Sequence, residues 1–275
     1  MNQLIFGTAG IPFSTIPRTT ENGVKKIKEI GLGAMELEFV QSVNLSENKA
    51  VLVNKIREEN GVYLTCHGSY YINLNAEDIE KVEKSKERII HAAKIASIAG
   101  AKSITFHAGF YLGFEKLTVY NTIKKNLSLI LDELKNEKIN IEIRPETTGK
   151  ETQFGSLDEL LNLSQEIGIL PCIDFSHIYA RSVGKNNTLT EFRQIFEKCE
   201  NKLGKNFLKN LHCHMSGIEF TQKGERKHLP FKESEFNYID LLKTFKEFDA
   251  KGIVICESPL LENDALLLKE KFEKL

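Results

Sequence analysis

Eight short apolar runs rich in β-branched or aromatic residues recur along the chain, and charged segments with helical periodicity separate them. The runs are QLIFG (3–7), AMELEFV (34–40), VYLTCH (62–67), SITFH (103–107), INIEIRPE (139–146), LPCID (170–174), NLHCHM (210–215) and GIVICE (252–257). Between them, Ile123, Leu127, Ile130, Leu131 and Leu134 fall at i, i+4, i+7, i+8 and i+11, one face of a helix. Val24, Ile27 and Ile30 do the same and stop at the glycine pair of IGLG. Strands alternating with helices eight times within 275 residues predict a (β/α)8 barrel formed by residues 1–275 as a single domain. An open doubly wound sheet is the alternative. Neither G-x-G-x-x-G nor G-x-x-x-x-G-K-[ST] occurs, so nucleotide-binding folds have no support from motifs.

In such a barrel the active site is built at the carboxyl ends of the strands, and those ends carry metal-ligand chemistry. Strand 3 ends on His67, strand 4 on His107, strand 5 on Glu146, and strand 6 on Asp174 with His177 three residues on. Strand 7 carries His212 and His214, its loop carries His228, and strand 8 ends on Glu257. Six of the seven histidines belong to this set; only His91, in the third helix, does not. Any one of them could be a satisfied polar group at a strand edge. Together at one face, unpaired imidazoles and carboxylates would be costly to bury without a compensating charge. Divalent cations supply that charge, and mixed nitrogen and carboxylate ligands suit zinc, or manganese, better than calcium. Two to three ions per chain are expected.

The net charge of −1 gives no overall attraction to nucleic acid, so any phosphate-binding surface must be local. Cys66, Cys172, Cys199, Cys213 and Cys256 lack C-x-x-C spacing and read as core thiols of a reducing compartment. Cys66, Cys172, Cys213 and Cys256 each neighbour a candidate ligand and are expected to point to the opposite side of their strands. The amino terminus MNQLIFGTAG has no signal-peptide pattern, and no apolar run reaches the roughly 18 residues of a membrane span. A cytoplasmic monomer without a membrane or protein partner is the expectation.

HGSYYINL, FHAG, PETTG, IDFSH, HMSG with KHLP, and CESP occur in an order and at spacings that resemble the endonuclease IV family of apurinic/apyrimidinic endonucleases. The likeness runs from the first strand to the last helix, and HGSYYINL is its most specific piece. It implies a trinuclear zinc barrel that cuts duplex DNA at abasic sites, on the 5′ side. By resemblance His67, His107 and Glu146 would hold one zinc, and Glu146 would bridge to a second held by Asp174, His214 and Glu257. His177 and His228 would hold the third. His212 and His214 lie two apart on one strand face, and HMSG favours His214. Phosphodiester hydrolysis needs a hydroxide at neutral pH, neutralised phosphoryl oxygens and a counterion for the leaving oxygen, which a metal cluster provides. Glu146 is the expected catalytic carboxylate, orienting the water, and Tyr70 matches a DNA-contacting tyrosine.

Two positions depart from the family pattern. Where an aspartate would stand two residues before His228 the chain has Arg226, and Glu225 could replace that aspartate only if the loop shifts by one residue. The segment QSVNLSEN after strand 2 lacks the basic residue that family members insert into DNA. A rival reading is a metal-dependent sugar isomerase or epimerase resembling xylose isomerase. Glu146, Asp174, His214 and Glu257 satisfy it equally; His67, His107, His177 and His228 exceed its needs. A non-enzymatic metal- or nucleic-acid-binding module is the third reading.

Overall fold

The computed structural model describes residues 1–275. Its main sheet has eight strands: β1 (Leu4–Ala9), β2 (Ala34–Glu38), β3 (Tyr63–His67), β4 (Ala101–Phe106), β5 (Glu142–Pro145), β6 (Ile173–Asp174), β7 (Leu211–Met215) and β8 (Gly252–Cys256). Their order is β5-β4-β3-β2-β1-β8-β7-β6, with every paired neighbour parallel. The remaining gap is closed by a parallel bridge between Glu146 and Cys172, where the Cys172 N–H donates to the Pro145 carbonyl at 3.0 Å. The expected barrel is therefore present. Strands 5 and 6 are shorter than their apolar runs suggest, and Pro145 and Pro171 give the reason: neither can donate to a ladder.

Nine helices cover the outside: α1 (Thr20–Glu29), α2 (Glu47–Asn60), α3 (Ile79–Ile98), α4 (Lys116–Asn136), α5 (Leu157–Ile167), α6 (Phe175–Arg181), α7 (Leu189–Leu203), α8 (Tyr238–Glu247) and α9 (Glu262–Glu273). None is long and apolar enough to cross a membrane. In α4 the predicted stripe Ile123, Leu127, Ile130 and Leu134 is buried, worth about 1.5–3 kcal/mol for each fully buried side chain. Serine and threonine start several helices; Ser156 and Thr188 form full capping boxes with Glu159 and Glu191.

One apolar cluster of 63 buried residues lies between sheet and helices, so the main core is outside the barrel and its interior is free to be polar. Only Ala34, Ile253 and Ile255 form an apolar group on the inward face. Buried Arg144 plugs the amino-terminal end, donating from Nε to Glu142 at 2.8 Å and from Nη2 to the Asn210 carbonyl at 2.8 Å. Above it, Glu36, Thr65, Ser103, Thr105 and His212 are all buried.

Candidate metal centre

Glu146 follows β5 directly and is the hub of the carboxyl-end face. Its Oε2 lies 3.2 Å from His67 Nε2 and 3.3 Å from His107 Nε2, while its Oε1 lies 2.9 Å from His214 Nδ1. His67 Nδ1–H donates to the Gly68 carbonyl at 2.8 Å, which leaves the Nε2 lone pair aimed at the hub. Asp174 works twice. Its Oδ1 caps α6 by accepting the His177 N–H at 2.7 Å, and its Oδ2 is free to face the centre. Because α6 starts there, His177 comes round to the same side as Asp174, with Nδ1 3.5 Å from Asp174 Oδ2.

His177 and His228 meet with their Nε2 atoms 3.4 Å apart. Each is held by its other nitrogen: His177 Nδ1–H donates to the Thr147 carbonyl at 3.0 Å and His228 Nδ1–H to the Glu257 carbonyl at 3.2 Å. Glu225 Oε2 completes the group, 3.5 Å from His177 Nε2. The one-residue shift needed for Glu225 is present as a β-bulge. In the hairpin of Gly217–Thr221 and Gly224–Leu229, Glu219 faces Lys227 but Phe220 faces Glu225, so Arg226 is the extra residue. Arg226 and Lys227 both turn to Glu219, at 2.6 and 3.3 Å, and Glu225 takes the side of His228. Gly149 makes room: a Cβ there would sit 2.6 Å from both Cβ and Oε2 of Glu225. Gly224, at φ +90°, lets the hairpin approach the Gly149 carbonyl, where a Cβ would lie only 2.3 Å away.

Donor atoms within 4.8 Å of one another form four groups: His67, His107, Glu146; Glu146, Asp174, His214, Glu257; Asp174, His177, His228, Glu257; and, deeper in the barrel, Cys172, His212, His214. His107 Nε2, Asp174 Oδ2, Glu257 Oε2, His214 Nε2, Glu36 Oε1 and Glu38 Oε1 are buried without a hydrogen-bond partner. Buried orphans of this kind are rare, and their convergence fits ligation of divalent cations. The candidates from the strand ends are brought together; His91 is not among them.

Sequence reasoning missed Glu36 and Glu38. Their alternation in AMELEFV reads as a half-exposed strand, whereas the polar face points into the barrel. Glu36 Oε2 accepts from His212 Nε2 at 3.1 Å, and Glu36 Oε1 lies 2.9 Å from His214 Nε2. His212 therefore sits one layer below His214, with its Nδ1 3.0 Å from Ser103 Oγ, away from Glu146. One expectation is corrected. Cys66, Cys213 and Cys256 join the outer core, but Cys172 lies within 4.8 Å of His212 and His214 inside the barrel. Cys172 is two residues before Asp174, and residues two apart share a strand face.

The buried charges of the centre are strongly coupled. Burial alone would favour neutral His67, yet Glu146, then Glu38 and Glu36, hold its pKa up at about 10. Burial is likewise outweighed at His177 by Asp174, Glu225 and Glu146, which keep it at about 9. Burial and the neighbouring Glu36 charge push Glu38 up to about 7. Burial, with Glu146 and Asp174, drives Glu257 well above the carboxylate range, while Glu146, against its own burial, is pulled well below that range by His214 and His107. Without cations, protons stand in for positive charge; binding a cation would release them.

Above the centre a cavity of about 250 Å³ is lined by His67, Tyr70, His107, Lys150, His177 and Glu225, among others. Tyr70 in its wall is exposed, and the loops after β1, β3, β4 and β8 at the same end of the barrel carry further exposed apolar side chains: Phe13, Ile16, Tyr71, Leu112, Phe114 and Leu260.

A family model described as a xylose isomerase-like TIM barrel matches residues 24–275. An uncharacterised protein of Methanocaldococcus jannaschii is 51% identical over 272 residues, 99% of this chain and 98% of that protein. A probable endonuclease 4 of Mycoplasma mobile is 26% identical over 261 residues, covering 92% of this chain and 89% of that protein. Endonuclease IV from Thermus thermophilus superposes with a TM-score of 0.74 at 17% identity, over 98% of this chain and all (100%) of that one. A D-tagatose 3-epimerase-like protein superposes with a TM-score of 0.73 at 20% identity, over 98% of this chain and 96% of that one. Near-equal scores for a nuclease and an epimerase-like protein mean that fold alone does not choose the chemistry.

Proposed function

The chain belongs to the xylose isomerase-like TIM barrel family, and within that family we propose that it is a metal-dependent phosphodiester hydrolase that incises duplex DNA on the 5′ side of abasic sites. The observation that carries this reading is the His177–His228 pair with Glu225 beside it. The bulge at Arg226 turns Glu225 toward His177 and His228, an investment that proton transfer at one metal would not require. The endonuclease 4 relative from Mycoplasma mobile adds support across most of the chain.

His67, His107 and Glu146 would hold one cation, Glu146, Asp174, His214 and Glu257 a second, and His177, His228 and Glu225 a third. Zinc is the expected ion and manganese the alternative. Such ions, when bound, neutralise phosphoryl oxygens and make a hydroxide available at neutral pH. The chain's own part is positional and acid-base. Glu146, with one oxygen toward each of two donor groups, orients the attacking water and accepts its proton. Lys150 brings a cation to the cavity wall for the phosphate. Tyr70, 63% exposed and 5.6 Å from the His67 ring, offers a flat face to an unstacked base or sugar at the rim.

The test is a duplex oligonucleotide with one tetrahydrofuran abasic analogue, incubated with zinc-loaded protein and with Glu146→Gln as control. Incision leaving a 3′-hydroxyl, lost in Glu146→Gln, supports the assignment. An intact duplex together with interconversion of a free ketose or aldose would identify a sugar isomerase instead.

A further inference from the structure

We infer that Glu36 is a positioning residue for the metal centre, whose single carboxylate receives the Nε2–H groups of both His212 and His214 and so turns His214 Nδ1 toward Glu146. Glu36 is fully buried in β2, and its two oxygens are divided between the rings: Oε2 lies 3.1 Å from His212 Nε2 and Oε1 lies 2.9 Å from His214 Nε2. The opposite nitrogens have distinct surroundings. His212 Nδ1 is 3.0 Å from Ser103 Oγ, a hydroxyl able to donate, whereas His214 Nδ1 is 2.9 Å from Glu146 Oε1 and 3.4 Å from Glu257 Oε1. Glu36 Oε1 and His214 Nε2, both buried, lie 2.9 Å apart yet have no partner of hydrogen-bond geometry, so a small turn of either, with a cation at His214 Nδ1, joins them in one pattern. Both rings are neutral Nε2–H tautomers, Glu36 accepts twice, Ser103 donates to His212, and the His214 Nδ1 lone pair is left for a cation.

A carboxylate behind a ligating imidazole fixes its ring and raises its basicity, and loss of such a partner costs about 10–100-fold in metal affinity. Here that partner comes from β2, on the far side of β1 and β8 from the β7 histidines. It reaches them across the barrel interior, and His212 braces it from below. His212 thereby has a role distinct from ligation: it orients the carboxylate that orients His214.

The inference rests on His214 being a metal ligand, as in the reading above, but its test needs no DNA. The full chain, stripped of metal and reloaded with zinc alone, is labelled with nitrogen-15, and long-range proton–nitrogen spectra report the tautomer of each histidine. Both His212 and His214 should carry the proton on Nε2. The Glu36→Gln variant keeps the volume but presents one acceptor and one donor, so one of the two rings should change tautomer. Zinc affinity, measured by competition with a chromophoric chelator, should fall about 10–100-fold. His214 protonated on Nδ1 in the zinc-loaded wild type overturns the inference and requires no variant to fold. A folded Glu36→Gln protein with unchanged zinc affinity and unchanged tautomers overturns it equally. Failure to cut abasic DNA would count against the proposed reaction and leave this result standing.

Discussion

Replacing Glu225 by alanine should empty the third metal position and leave the others filled. Glu225 Oε2 lies 3.5 Å from His177 Nε2, and its side chain is only 17% exposed, so its charge is poorly screened. A carboxylate and a dication about 4 Å apart attract by about 8 kcal/mol at an effective dielectric of about 20. A water entering the vacated position returns more than half of that. What remains is about 3–4 kcal/mol, the scale seen when one partner of a buried charge pair is removed. That corresponds to a loss of about two to three powers of ten in affinity. Zinc titration against a competing chelator should show the weakest-bound ion lost in Glu225→Ala and retained in Arg226→Ala, because Arg226 points outward to Glu219. Gly149→Ala should act in the same direction as Glu225→Ala, since its Cβ would collide with Glu225 at 2.6 Å. Full zinc binding by Glu225→Ala, or its loss in Arg226→Ala, would refute the bulge argument.

In the metal-free protein, His67 at about 10 and His177 at about 9 have pKa values above those of an unfolded chain. Their contribution to stability is complete below about pH 6.5 and is lost as pH rises through 9 to 10. Glu38, raised to about 7, has the same sign: stability present at low pH is lost as it ionises. Thermal midpoints of metal-free protein should thus fall between pH 6.5 and 10, while those of zinc-loaded protein, whose imidazoles are neutral ligands, should change less over the same range; parallel curves would contradict this. Tyr70→Ala should weaken binding to abasic duplex by about 1–3 kcal/mol, the worth of one stacking contact. Zinc content should be unchanged, and unaltered DNA affinity would remove Tyr70 from the contact surface.

The barrel and most of its centre were legible because each depends on local signals. Apolar runs alternating with helical stripes gave the architecture, and a strand's last residue necessarily stands at its carboxyl end, which located His67, His107, Glu146, Asp174 and Glu257. What escaped depends on pairing across space. The bulge that exchanges Glu225 for Arg226 is set by the hairpin partner Glu219 and by the gap at Gly149, neither of which is visible in GERKH alone. Glu36 and Glu38 were hidden because the alternating pattern does not say which side of a strand is buried, and in this barrel the polar side is the interior. The choice between His212 and His214 needed their height in the barrel, which strand registration supplies: His214 pairs with Asp174 and His212 lies one step below. Cys172 obeys the same parity: two residues before Asp174, it shares that residue's face of the strand.

Metal content per chain distinguishes a three-ion centre from a one-ion centre. Protein purified without chelator and dialysed free of loose ions should contain three zinc ions per chain by elemental analysis, one for each proposed position, and two in Glu225→Ala. A single divalent ion per chain, whether zinc, manganese or magnesium, would contradict the account and leave the barrel with the one-metal chemistry of a sugar isomerase.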